Sequence, residues 1–242
     1  MNIQGKTALI TGGGRGIGLH IAKLFSAKGA KVILSGRNEA SLKQAVASIN
    51  NASYIVSDIT NEKDVENLVQ KAGQIDILVN NAGVLHGASV DGGENFLATA
   101  KDEMNLNYFA VLQLTELFLP VLKKSGDAAI INIQSILSYV PLTMALSYSA
   151  SKAALHSYSQ GLRLVLQKKG AAVKVFEVFP PYIDTDMTKG VEVDKMKPED
   201  LAADILEGVE NDQFAIRSGL TREVYQMWHQ APENTVAQIN GL

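Results

Sequence analysis

The chain has 242 residues, 46% of them hydrophobic and 19% charged, enough to bury one sizeable core in one α/β domain spanning 1–242. A formal net charge of −3 with no Lys/Arg block argues against a nucleic-acid surface. The absence of cysteine excludes disulfides, zinc–thiolate sites and thiol chemistry, and is compatible with a reducing cytoplasm.

The opening "MNIQGKTALITGGG" enters a strand directly, without a leader of the signal-peptide type. No apolar run reaches the roughly 20 residues that a membrane-spanning helix needs. The expectation is a soluble cytoplasmic protein with neither membrane nor nucleic acid as partner, and no metal site.

Short apolar runs at 7–11, 31–35, 53–57, 75–80, 128–134 and 173–180 are rich in Val and Ile and read as strands buried on both faces. Amphipathic patterns at about 16–28, 38–50, 61–72, 101–124 and 147–169 lie between them. Such alternation predicts a doubly wound parallel sheet of Rossmann type with helices on both faces. Past Tyr182 the alternation stops. The polar stretch 182–200 reads as a mobile substrate loop, and Pro198 opens a helix to about Val209. The tail 221–242 reads as helical at first and then irregular. "GASVDGGEN" (87–95) is a glycine-rich loop.

Between the first strand and first helix stands "TGGGRGIG", with Gly12, Gly16 and Gly18 in T-G-x-x-x-G-x-G spacing. Glycines there permit a tight turn, close approach of a phosphate and close helix–strand packing. The helix N-terminus offers free N–H groups to an anion, although a plain strand–helix turn would use the same residues. A P-loop is disfavoured, because Leu19 and His20 follow Gly18 where Lys and Ser/Thr would be needed. Arg15 sits where the helix dipole disfavours a cation unless an anion is bound. The second strand ends "Ser35-Gly36-Arg37", with no acid at its tip. A carboxylate there would repel a 2′-phosphate, whereas Arg37 can bind one through a fork of charged hydrogen bonds. NADP is therefore expected in preference to NAD, with Glu39 close enough to temper the preference.

"YSASK" places Tyr148 and Lys152 four apart in a helical pattern, hence on one face. An ammonium near a phenol favours the phenolate, so Lys152 is expected to lower the Tyr148 pKa from its reference of about 10 and fit it for proton transfer.

At this point the chain resembles the short-chain dehydrogenase/reductase family over about residues 5–190. "TGGGRGIG" resembles the family's cofactor loop, which implies contacts from Gly12, Gly14, Arg15, Gly16, Ile17 and Gly18. "SDI" (57–59) resembles its adenine segment, implying Asp58 and Ile59. "NNAG" (80–83) resembles the segment that passes beneath the cofactor, implying Asn80, Ala82 and Gly83. "NIQS" ends the fifth strand with Ser135, thirteen residues before Tyr148, as in the family.

The resemblance implies Tyr148 as general acid/base, Ser135 as hydrogen-bond donor to the substrate oxygen, and Lys152 on the nicotinamide ribose as well as beside Tyr148. A catalytic asparagine is implied on the helix before the fifth strand. Counting back from Pro120, which resembles the family's helix-ending proline, selects Asn107 over Asn105. "PPYIDT" (180–185) replaces the family's Pro-Gly-x-x-x-Thr, with Pro181 in place of glycine. Ile183 and Thr185 keep the cofactor positions.

Leu137, Val140, Leu142, Tyr182 and Met187 are expected to face an apolar carbonyl substrate, and His86 is a further pocket candidate. His20 and His156 read as structural. The stretch 214–242 does not resemble the family's strand and glycine-rich tail. Tyr225 and Trp228 could cover the substrate loop or the sheet edge. Helices 101–124 and 147–169 are expected to pair in a homodimer, with a tetramer as the other option. The leading expectation is an NADP-dependent carbonyl reductase or alcohol dehydrogenase. A cofactor-binding regulator with little turnover remains the alternative.

Overall fold

The computed structural model describes residues 1–87, 90, 91 and 95–242. Most of the 87–95 glycine-rich loop falls outside the described residues. Seven parallel strands form one sheet in the order β3-β2-β1-β4-β5-β6-β7. They are β1 (Thr7–Thr11), β2 (Lys31–Gly36), β3 (Ala52–Val56), β4 (Ile77–Asn80), β5 (Ala128–Ile133), β6 (Val173–Phe179) and β7 (Ala215–Arg217). Parallel strands require crossovers, and the helices supply them on both faces. β4 and β5 are buried along their whole length, as their unbroken apolar runs require.

One face of the sheet carries α1 (Gly16–Ala27), α2 (Glu39–Val46) and α7 (Pro198–Glu210). Phe25, Leu42 and Ile205 pack there on Ile10, Leu34 and Ile131. The other carries α3 (Glu62–Ala72), α5 (Ala110–Ser125) and α6 (Leu146–Lys168), with Leu68, Phe118 and Leu166 on Leu9, Leu78 and Ile130. The strand order reverses between β1 and β4. In an open α/β sheet the crevice beyond the strand ends at that switch point is where ligands bind.

Several expectations are corrected. The expected helix 101–124 is two helices, α4 (Phe96–Met104) and α5, joined by a π-helical turn, Asn105–Phe109. Pro120 does not end a helix but lies inside α5, which runs on to Ser125. Its missing N–H leaves the Glu116 carbonyl without a helical donor, and Glu116 is solvent-exposed. A seventh strand, β7, was not expected; three residues are too few for a periodic signal. The tail does not become irregular: α8 (Thr221–Gln230) is followed by α9 (Pro232–Ile239), opened by proline at its first turn. The stretch 182–200 is closed on itself by a bridge between Ile183 and Met196, a 3-10 turn at Asp186–Thr188, and Lys195 Nζ donating to the Thr188 carbonyl at 2.8 Å.

Arg217, at the end of β7, lies 3.6 Å from the Tyr225 ring centroid and 5.6 Å from that of Tyr139. Tyr139 stacks on Phe179 and meets Trp228. Tyr225 and Trp228 thus fasten α8 to the β6–β7 edge of the sheet.

Candidate active site

The β1–α1 turn carries the glycine loop. Gly12 and Gly16 hold φ of +64° and +54°, a region that favours glycine. A Cβ on Gly18 would lie 2.6 Å from the Gly12 carbonyl oxygen, so the first turn of α1 can sit against the loop only without a side chain. A Cβ on Gly16 would meet Thr185 Cγ2 at 3.4 Å across the cleft.

Helices α2, α3 and α4 are each capped by an asparagine side chain. α1 has no side-chain cap and no acid in its first turn. Its free N–H groups and positive dipole end suit an anion, so a dinucleotide pyrophosphate fits this loop. Arg15 at that end is exposed and pairs with Asp186 at 3.1 Å, across from the 182–200 segment. An exposed pair of this kind is weak and can yield Arg15 to a phosphate.

Arg37 is exposed at the end of β2. The nearby acid, Glu39, is already engaged: Lys43 lies 3.0 Å away and the Tyr54 hydroxyl donates to it at 3.1 Å, which together hold its carboxyl below the usual range. Asp58 accepts from the Thr60 N–H at 3.0 Å and hydroxyl at 2.7 Å. Partial burial opposes its ionisation, but the Thr60 bonds and the Arg37 charge outweigh it and lower its pKa. Ile59 is buried beside it.

NNAG closes the floor of the cleft. The Asn80 side chain points away from the expected role: its Nδ2 donates to Asn132 Oδ1 at 2.8 Å inside the sheet. Asn81, not among the implied cofactor contacts, donates from Nδ2 to the Thr11 carbonyl at 2.8 Å and lines the cavity. Thr11 Oγ1 accepts from the Asn81 and Ala82 N–H groups at 3.0 and 3.1 Å. A Cβ on Gly83 would lie 3.1 Å from Asn107 Oδ1 and 3.6 Å from Lys152 Nζ, so glycine is what lets these three groups meet.

A cavity of about 130 Å³ lies at this point, lined by Ser135, Tyr148 and Lys152 together with Ile17, Gly83, Ile183 and Thr185. Leu137, Tyr182 and Met187 form its apolar wall as expected, with Leu85, Ile136, Pro180, Pro181 and Val191 added. Val140 is corrected: it is fully buried in the core with Tyr139 and Phe179. Leu142 is not in the wall either; its N–H donates to Ser149 Oγ. The His86 ring turns to Asp102, 2.7 Å away, rather than to the cavity.

The π-helical turn brings Asn107 into the fully buried zone, where its side chain bonds Val84 N–H and carbonyl, each at 2.9 Å, and Ser151 Oγ at 3.0 Å. It pins the NNAG strand to α6. Lys152 Nζ lies 5.6 Å from the Tyr148 ring centroid and donates to the Ile133 carbonyl at 2.8 Å.

The expected direction of the Tyr148 shift is corrected. Burial pushes the phenol up to about 12; a hydrogen bond with Ser135 pulls it down, and the Glu103 charge pushes it up further. Burial takes Lys152 down to about 8. With both groups out of water, desolvation is the largest cause of both shifts. The polypeptide by itself therefore holds Tyr148 as a neutral phenol. Glu103, a fully buried acid beside this site, was not singled out in the sequence, where it reads as one more charge on a helix.

Comparison with known proteins agrees with this architecture. Residues 6–196 match the family model for short chain dehydrogenase. The "Uncharacterized oxidoreductase DltE" of Bacillus subtilis (strain 168) is 37% identical over 193 residues, which span 78% of this chain and 76% of that protein. A short chain dehydrogenase from Burkholderia cenocepacia J2315, solved in complex with NADP, superposes with a TM-score of 0.90 at 31% identity, covering 98% of both chains. A short chain dehydrogenase/reductase from Burkholderia phymatum, solved in complex with NAD, shares the fold at 21% identity and a TM-score of 0.89 over 96% of both chains. The chain belongs to the short-chain dehydrogenase/reductase family and is an oxidoreductase of that class.

Proposed function

We propose that the protein is an NADP-dependent carbonyl reductase, interconverting a small apolar ketone or aldehyde and its alcohol. The observation that carries this is the convergence of Ser135, Tyr148 and Lys152 on one apolar-walled cavity at the sheet's switch point, beside an uncapped helix N-terminus.

When bound, the dinucleotide supplies the hydride. Gly12, Gly14, Arg15, Gly16, Ile17 and Gly18 hold its phosphates, with Asp58 and Ile59 at the adenine. Ala82, Gly83, Ile183 and Thr185 seat the nicotinamide end. Arg37 takes the 2′-phosphate, an assignment supported by the engagement of Glu39 elsewhere. Tyr148 donates its phenolic proton to the carbonyl oxygen, and the Ser135 hydroxyl stabilises the charge developing there. Lys152 orients the cofactor ribose, and Asn107 keeps the floor of the site in register with α6. Catalysis takes place within a single domain, working in the cytoplasm as a homodimer.

The test is NADPH oxidation, followed by absorbance, over ketones, aldehydes, quinones and 3-oxoacyl thioesters. Tyr148→Phe should reduce turnover by about 10²–10⁴-fold, the usual worth of a positioned proton donor, while leaving NADPH binding intact. A variant as fast as the parent would refute the assignment. NADPH binding without oxidation across the whole panel would point to a regulator.

A further inference from the structure

Glu103 is the penultimate residue of α4 and is fully buried. One carboxylate oxygen accepts the His86 backbone N–H at 2.7 Å, and the other accepts the Ser147 hydroxyl at 2.5 Å. Ser147 is itself buried and immediately precedes Tyr148 in the first turn of α6. His86 lies three residues beyond NNAG. None of the ion pairs among the described residues includes Glu103. Two hydrogen bonds, one from each wall of the site, satisfy both of its oxygens.

We propose that Glu103 is a positioning residue for Tyr148: its side chain ties the first turn of α6 to the chain behind NNAG. This inference rests on the reading of Tyr148 as the proton donor. The negative charge of Glu103 also opposes ionisation of the phenol, which gives a second readout of the same contact.

The surrounding groups leave room for that effect. Lys152, on the same helix as Tyr148, gives its ammonium to the Ile133 carbonyl. Ser135, from the end of β5, hydrogen-bonds the phenol and favours ionisation. Tyr182 lies across the cavity. The His86 ring, from the segment after NNAG, is engaged by Asp102 of α4 rather than by Glu103. Among the described residues, Glu103 is the anion whose charge reaches Tyr148.

The test places 3-fluorotyrosine at position 148 in the full-length protein and follows its ¹⁹F resonance against pH, without cofactor or substrate. Glu103→Gln keeps the size of the side chain and an acceptor for the His86 N–H. The phenol's ionisation midpoint should fall by about one pH unit, a tenfold larger ionisation constant. An unchanged midpoint overturns the electrostatic role. Ser147→Ala removes a single oxygen and tests the tie independently, even where Glu103→Gln does not fold. The resonance should broaden or split as the ring loses its single setting. A resonance identical in width and position to the parent's overturns the positioning role. The Tyr148→Phe turnover assay decides separately whether Tyr148 is the donor, so the two ideas can fail apart.

Discussion

Lys152 and Tyr148 were legible as a pair because four residues along a helix return to the same face. What they do to each other was not legible. Spacing sets proximity, but the sign of a pKa shift depends on solvent, and both groups are buried. A measurable consequence is a pH-dependent stability. Lys152 titrates at about 8 in the folded protein against 10.5 ordinarily. Between those values the unfolded chain holds a proton that the folded chain has released, so stability rises with pH there. Below pH 8 the full cost of the buried charge persists. Lys152→Met should therefore gain stability over the parent most at pH 7 and progressively less towards pH 9.5, read from urea midpoints; parallel curves would contradict the depressed value. Arg37 offers a second test at this scale. A charged hydrogen bond is worth roughly 1.5–3 kcal/mol, so Arg37→Ala should weaken NADPH binding by roughly 10- to 100-fold in calorimetry and leave NADH nearly unaffected. Equal losses for both would remove the 2′-phosphate argument.

Among the elements, the β1–α1 turn was readable from its glycines, because close backbone approach has few other solutions. The structure adds which glycine bears the contact. Gly18→Ala would drive a methyl into the Gly12 carbonyl. Overpacking of this kind costs about 1–3 kcal/mol, so the melting temperature should fall by several degrees and NADPH binding should weaken with it; an unshifted melting curve would mean the loop yields freely. The π-helical turn at Asn105–Phe109 could not be read, since an extra residue in a helical turn leaves the hydrophobic period almost unchanged. It nevertheless decides which asparagine enters the site. Counting from Pro120 reached Asn107 for a reason the structure does not support, because that proline sits within α5. Helix α9 escaped because it is only eight residues long and packs against a single aromatic cluster.

For the molecule as a whole, the π-helical turn before α5 and α6 leave apolar side chains in water. Phe109 is 54% exposed, Leu164 58% and Val165 48%. Tyr108 makes edge contacts to both Phe109 and Tyr158, which continues this patch from the π-helical turn onto α6. Exposed apolar side chains at this turn and on α6 suit the proposed two-fold pairing. Val165→Glu should convert dimers to monomers in sedimentation velocity at micromolar concentration. A parent protein that is already monomeric there would dismiss the proposed dimer.

Local pattern alone determined the parallel sheet, six of its seven strands, the glycine turn and the shared helical face of Tyr148 and Lys152, while Ser135 was reached through the family resemblance. Each pattern feature is a matter of period or of steric necessity, and these are properties of short stretches of chain. Tertiary packing decided that Asn80 faces the sheet while Asn81 faces the cavity, that Val140 is core, that Glu103 is buried beside Tyr148, and that the phenol stays protonated. These depend on what surrounds a group in space. Desolvation and partner choice arise only once segments far apart in the chain have excluded water between them.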